Sequence, residues 1–251
     1  MSIPLQQPLS PESTAPVSVP AWAAAAGFAS VASVTIGVVA SHGGHPEYSL
    51  ALHYVSQLAE VQNPRGWWFC AGLVAGGFLL TPFAWSVRTL LPNADGARAS
   101  ALAMVAGVSM TLVGFFPLTR IVPHFACAFV LFASAIFAEL FAARSLSALA
   151  RKTGCPRLRV ASHVTYALFT LHVTASVGGF VYSGVVTRDM PMVSSEQMLR
   201  ESPVLQQLRL GESGLVINPV ANLEWVFLLT SMGLISAASF CASRLRVAPP
   251  K

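Results

Sequence analysis

Of 251 residues, ten are acidic and six are histidine, so the side chains able to move protons or hold a metal are few. His42-Gly-Gly-His45 places two imidazoles three positions apart, with His124 and Glu224 further along the chain. A buried zinc site needs three or four such ligands converging. These four qualify only if the segments carrying them are neighbours. His172 lies within a long apolar run and His163 nine residues before it, about half a turn out of phase on an ideal helix. With His124 they are the candidates for axial ligation of a b-type haem, which needs histidines facing each other across a bundle. The histidines do not form two pairs at matching depths, which argues against haem. In a third reading each histidine simply hydrogen-bonds a neighbouring helix or sits among lipid headgroups. Zinc and haem therefore stand as alternatives, and no cofactor is assigned. Cys70, Cys127, Cys155 and Cys241 form no C-x-x-C pair and imply neither a disulfide framework nor a zinc finger. There is no G-x-S-x-G, no H-E-x-x-H and no phosphate-cradling glycine loop opening a soluble helix.

The elements that must position these side chains follow from composition. Hydrophobic residues make up 54% and charged residues 10% of the chain, against about 25% charged in soluble domains, and mean hydropathy is +0.63. The solvent of most of this surface is lipid. The net charge of +5 comes from basic residues scattered between apolar runs, a topology signal and not a nucleic-acid surface. A spanning helix needs about 20 apolar residues. Six stretches qualify, at 22–40, 66–87, 99–119, 121–143, 160–183 and 221–243, the fourth admitting Glu139 near its end. The expected fold is all-α and integral to the membrane, a single six-helix transmembrane domain over 21–246. Residues 1–20 are proline-rich, lack the basic n-region of a signal peptide and read as a disordered cytoplasmic tail, with a short tail at 247–251.

With six spans both termini share a side. Ten basic residues, from Arg88 to Lys251, fall on one side, and five (Arg65, Arg120, Arg188, Arg200 and Arg209) on the other. The positive-inside rule makes the first side, with both termini, cytoplasmic, in an inner or plasma membrane. Trp67, Trp68 and Trp225 are placed as an outer aromatic belt. Gly72-x-x-x-Gly76-Gly77, Ala103-x-x-x-Gly107 and Gly178-Gly179 permit close helix packing, within the chain or in a homo-oligomer or membrane complex.

The two long outer loops complete the expectation. Over 46–62, Tyr48, Leu52, Val55 and Ala59 recur on one stripe and Ser49, His53, Gln57 and Glu60 on the other, which predicts an amphipathic interfacial helix. Ser202-Pro203, the leucines after it and Gly211 predict a second at 203–210. Two such helices would roof an outward-opening cavity that binds a membrane lipid, with His53, Ser56, Arg120, His124, Glu224 and Trp225 at its mouth. The enzyme-class alternative is a metal-dependent lipid hydrolase or transferase using His42, His45, His124 and Glu224 to activate water.

Three segments resemble the Frag/DRAM/Sfk-type membrane family and its bacterial relatives of unknown function. They are Val55-Ser56-Gln57-Leu58 with Asn63-Pro64-Arg65-Gly66; Gly114-Phe115-Phe116-Pro117 followed by His124; and Asn222-Leu223-Glu224-Trp225. Gln57 and Ala59 stand where that family carries Asp and Gly. The resemblance implies a polytopic protein of internal or plasma membranes tied to lipid handling, with no established catalytic residues. It matches Ser56, His124, Glu224 and Trp225, all on the side that charge makes external.

Overall fold

Apolar runs this long fold as helices because no water is present to satisfy an open backbone. The computed structural model describes residues 20–44, 48, 50, 53–60, 63–187 and 219–244. Among these are α1 (Ala21–His42), a 3-10 helix (Val55–Ala59), α2 (Gly66–Leu90), α3 (Ala94–Phe115), α4 (Ile121–Thr153), α5 (Pro156–Thr187) and α6 (Pro219–Arg244), with no strand. Each helix packs on the next, and α6 returns to α1 and closes a ring.

Helix ends are set by local chemistry. Asn93 caps α3, its side chain accepting from the Gly96 N–H at 2.8 Å, so α3 starts at Ala94 and not at 99. It ends at Phe115, before the turn at Pro117. Helix α4 continues beyond 143 to Thr153, where Gly154 takes a left-handed φ of +66° and its N–H closes on the Ala150 carbonyl; glycine adopts that conformation without the strain a Cβ would bring.

Five helices, α1, α2, α3, α4 and α6, are long and apolar enough to cross a membrane, which makes this an integral membrane protein. The fifth expected span is a helix, yet it is not among those five. Its sequence interleaves Ser162, His163, Thr165, Thr170, His172 and Thr174 with the apolar residues, and it touches the ring through α4 and α6.

The polarity of the bundle is that of a lipid-solvated protein. Phe78, Val122 and Phe129 are 72–78% exposed on the flanks, while Ser30, Ser41, Ser100, Ser145 and Ser239 are buried between helices. Small residues bring backbones together. The Ser30 hydroxyl donates to the Gly76 carbonyl at 2.7 Å across α1 and α2. A Cβ on Gly37 would lie 3.0 Å from the Gly72 Cα, and one on Gly77 would strike the Gly107 carbonyl and Thr111 of α3. The glycine faces of α2 and α3 are thus filled within the chain. Gly77→Ala should cost about 1–3 kcal/mol by overpacking. Gly178→Ala, where nothing lies within 4 Å of the added carbon, should cost nothing measurable; thermal unfolding of the two variants in detergent compares them directly.

Among the described residues, the interfacial helix expected over 46–62 is interrupted: Tyr54 and Glu60 are extended and Val55–Ala59 forms a 3-10 turn burying Val55, Ser56 and Leu58. Tertiary contacts override the 3.6-residue stripe here. The helix expected at 203–210, and the tails at 1–19 and 247–251, lie outside the described residues.

Candidate functional site

At the end of the bundle where α1 meets α2, one side chain organises the connection. Asn63 is buried; its Nδ2 donates to the Ser41 carbonyl at 3.0 Å and the Leu58 carbonyl at 2.8 Å, while Oδ1 accepts from the Arg65 N–H at 3.0 Å. It thereby ties the last turn of α1, the 3-10 helix and the start of α2 together. Across from it, the Tyr48 hydroxyl donates to the Tyr54 carbonyl at 2.8 Å, and the Trp225 indole N–H donates to the His53 carbonyl at 3.2 Å. The rings of His42, His53 and Trp225 surround Tyr48 at centroid distances of 5.6, 5.2 and 6.3 Å. Burial holds the Tyr48 phenol well above its ordinary range, so it remains a hydroxyl donor throughout the physiological pH range.

Beneath this clamp lies a cavity of about 130 Å³ walled by α1, α2, α3, α4, α6 and the 3-10 helix. Leu73, Met110, Val113, Leu131, Phe227 and Ile235 give it an apolar interior, and Ser56, His124 and Glu224 also line it. His124 is buried, and its Nδ1 lies 2.7 Å from the Phe116 carbonyl. A carbonyl only accepts, so Nδ1 carries the hydrogen and Nε2 of the neutral ring is left as an acceptor. The Glu224 carboxyl faces the backbone of Val55 and Ser56 and the Ser56 hydroxyl. Its Oε2 is buried without a hydrogen-bond partner, as is the hydroxyl of Ser231 further along the same wall. Buried polar atoms left unpaired cost about 1–3 kcal/mol each, so both are poised to gain from a ligand.

Three of the six residues expected at the mouth, Ser56, His124 and Glu224, line this cavity. His53 and Trp225 act one layer out, as parts of the clamp. Trp225 is 8% exposed and not in an aromatic belt, because its indole N–H finds an internal acceptor; Trp67 and Trp68, 58% and 40% exposed and stacked at 4.1 Å, keep that surface position. Arg120 is exposed at the start of α4. Of the possible metal ligands, His45 lies outside the described residues and His42 is exposed against Tyr48. Among the described residues no three His, Cys, Asp or Glu side chains converge as a metal set.

The histidines considered for haem are dispersed. His163 is exposed, His124 is held by Phe116, and both nitrogens of His172 are engaged: Nδ1 lies 2.8 Å from Glu139 Oε2 and Nε2 2.6 Å from Thr230 Oγ1. Pattern reasoning did not bring Glu139 and Thr230 to His172. The available signal was an ionisable residue inside each of two apolar helices, which by itself marks a site.

With this geometry in hand, the family can be stated. The family model DUF998, a protein of unknown function, matches residues 22–193. The chain belongs to the DUF998 family. No curated protein and no solved structure matches it. The DUF998 match covers α1 to α5, including Ser56, His124, Glu139 and His172, and stops before α6 with Glu224, Trp225 and Thr230. It identifies a family of unknown function without linking it to the Frag/DRAM/Sfk type.

Proposed function

We propose that this DUF998 protein binds a membrane lipid in the cavity beneath the 3-10 helix, one acyl segment in the apolar interior and a hydrogen-bond-donating headgroup at Glu224. In this reading α5 also crosses the membrane and makes six spans, both termini are cytoplasmic, and the cavity lies toward the external face. The observation that carries it is the pairing of an apolar cavity with the unsatisfied Glu224 Oε2 at its polar end. An apolar cavity of about 150 Å³ accepts a benzene-sized group, and this one is of similar size. A carboxylate offers acceptors only, so it favours an ammonium or hydroxyl headgroup over a bare phosphate. His53 and Trp225 support the mouth by holding the covering segment, and Arg120 sits at its rim.

Native mass spectrometry of the full chain in mild detergent, incubated with equimolar phosphatidylethanolamine and phosphatidylcholine, tests this. The two differ in N–H donors, and a charged hydrogen bond is worth about 1.5–3 kcal/mol, so retention of the ethanolamine lipid should be about tenfold higher. Glu224→Gln should erase the preference and His124→Ala weaken retention of both. Equal retention of the two lipids by wild type, or unchanged retention by both variants, would sink the proposal.

A further inference from the structure

The Glu139, His172 and Thr230 side chains are not part of the cavity, and each lies near the middle of its helix, on α4, α5 and α6. Glu139 is 5% and His172 1% exposed. Neither has another hydrogen-bond or ion-pair partner among the described residues. The next titratable or charged groups along these helices are Arg144, paired with Asp95 at 3.2 Å; Tyr166 and the exposed His163; and Glu224 at the cavity. Phe227 separates the group from the cavity, its ring tilted at 47° against His172 with centroids 4.5 Å apart while it lines the cavity wall.

The hydrogen positions follow from the partners. The Thr230 hydroxyl lies 2.6 Å from the Val226 carbonyl, which only accepts, so the hydroxyl hydrogen is spent there. Thr230 Oγ1 then accepts from His172 at 2.6 Å, and Nε2 carries a hydrogen. On the other side one proton is shared between Nδ1 and Glu139 Oε2 across 2.8 Å. Written as carboxylate and imidazolium or as acid and imidazole, the group is neutral overall, and both ring nitrogens are bonded.

We propose that Glu139, His172 and Thr230 form a proton-binding site within the bundle, with the Thr230 hydroxyl as the rotor that lets one proton leave. On release, the Nε2–H bond breaks and that proton passes to a water molecule admitted to the bundle, which leaves the group with one net negative charge, on Glu139. The shared proton settles on Nδ1 and donates to the Glu139 carboxylate, and the Thr230 hydrogen swings from the Val226 carbonyl to donate to the freed Nε2. Both states keep every ring nitrogen bonded, so exchange needs no helix to unfold. A pair kept only for packing has no use for this alternation, since apolar residues of similar volume serve stability as well or better.

The test is histidine-selective ¹⁵N NMR of the full chain in lipid nanodiscs between pH 5 and 9, with the His172 signals identified by their loss in His172→Gln. His172 should pass in one step from a form protonated on both nitrogens, or sharing the Nδ1 proton, to the Nδ1–H tautomer. Thr230→Val, which lacks the rotor, should displace the midpoint by about one pH unit, a tenfold change in proton affinity, and Thr230→Ser should restore it. Should His172→Gln not fold, the one histidine moved by Thr230→Val is His172. His172 signals that stay constant over the whole range, or a midpoint untouched by both Thr230→Val and Glu139→Gln, would overturn the proposal.

Discussion

Replacing His172 alone with Leu is expected to destabilise the protein by about 3–5 kcal/mol, whereas replacing Glu139 and His172 together with Leu should cost far less. The single change strips the buried Glu139 carboxyl of its partner at 2.8 Å, and a carboxyl left unpaired in this interior bears most of its desolvation penalty. The double change removes both polar groups and fills the space with carbon, which elsewhere is neutral or stabilising. Unfolding in detergent should register the single variant as a drop of roughly 10 °C in midpoint, most of it recovered in the double variant. Thr230→Val combined with each gives a cycle that isolates the coupling. Equal losses in the single and double variants would mean that the ring contributes packing against Phe227 (4.5 Å) and little through Glu139.

That pair also marks where local pattern stopped being informative. The membrane class was legible because charge-free apolar runs of spanning length have no other stable home, and five of the helices satisfy that criterion. Glu139 was expected near the end of a span at 121–143, whereas the helix itself runs to Thr153 and carries Glu139 near its middle. His172 was readable as an ionisable residue within a long apolar run, but its partners belong to α4 and α6, and which helices are neighbours is a tertiary fact. The segment before α2 failed for the same reason. Its apolar stripe was real, yet Asn63 and Trp225, the latter 172 positions from the His53 carbonyl it bonds, select a 3-10 turn instead of an α-helix. Ser56, His124 and Glu224 were the residues that pattern and placement did bring to one cavity, because all three flank helix ends on the same side of the bundle.

Trp225→Ala is the second large effect, and its consequence reaches the cavity. The indole is buried, meets the Tyr48 ring edge-on at 6.3 Å and donates to the His53 carbonyl at 3.2 Å. Truncating a buried Trp to Ala costs about 3–5 kcal/mol, while Trp225→Phe keeps most of the apolar body and forfeits a hydrogen bond worth about 1 kcal/mol. The loss falls on a local contact between α6 and the covering segment, so much of it should appear as opening of residues 53–60 and not as global unfolding. At 1.4 kcal/mol per tenfold, amide exchange over that segment should quicken by about a hundredfold or more in Trp225→Ala and by several-fold in Trp225→Phe. Protection at Val55 and Ser56 is the discriminating signal, because these two residues are both part of the segment and part of the cavity wall beside Glu224. If their exchange is unchanged in Trp225→Ala, Asn63, Tyr48 and the Glu224 carboxyl facing Val55 and Ser56 hold the segment without the indole. If it quickens, cavity access is governed by the same helix that supplies the carboxylate, and lipid retention should fall in Trp225→Ala with Glu224 itself intact.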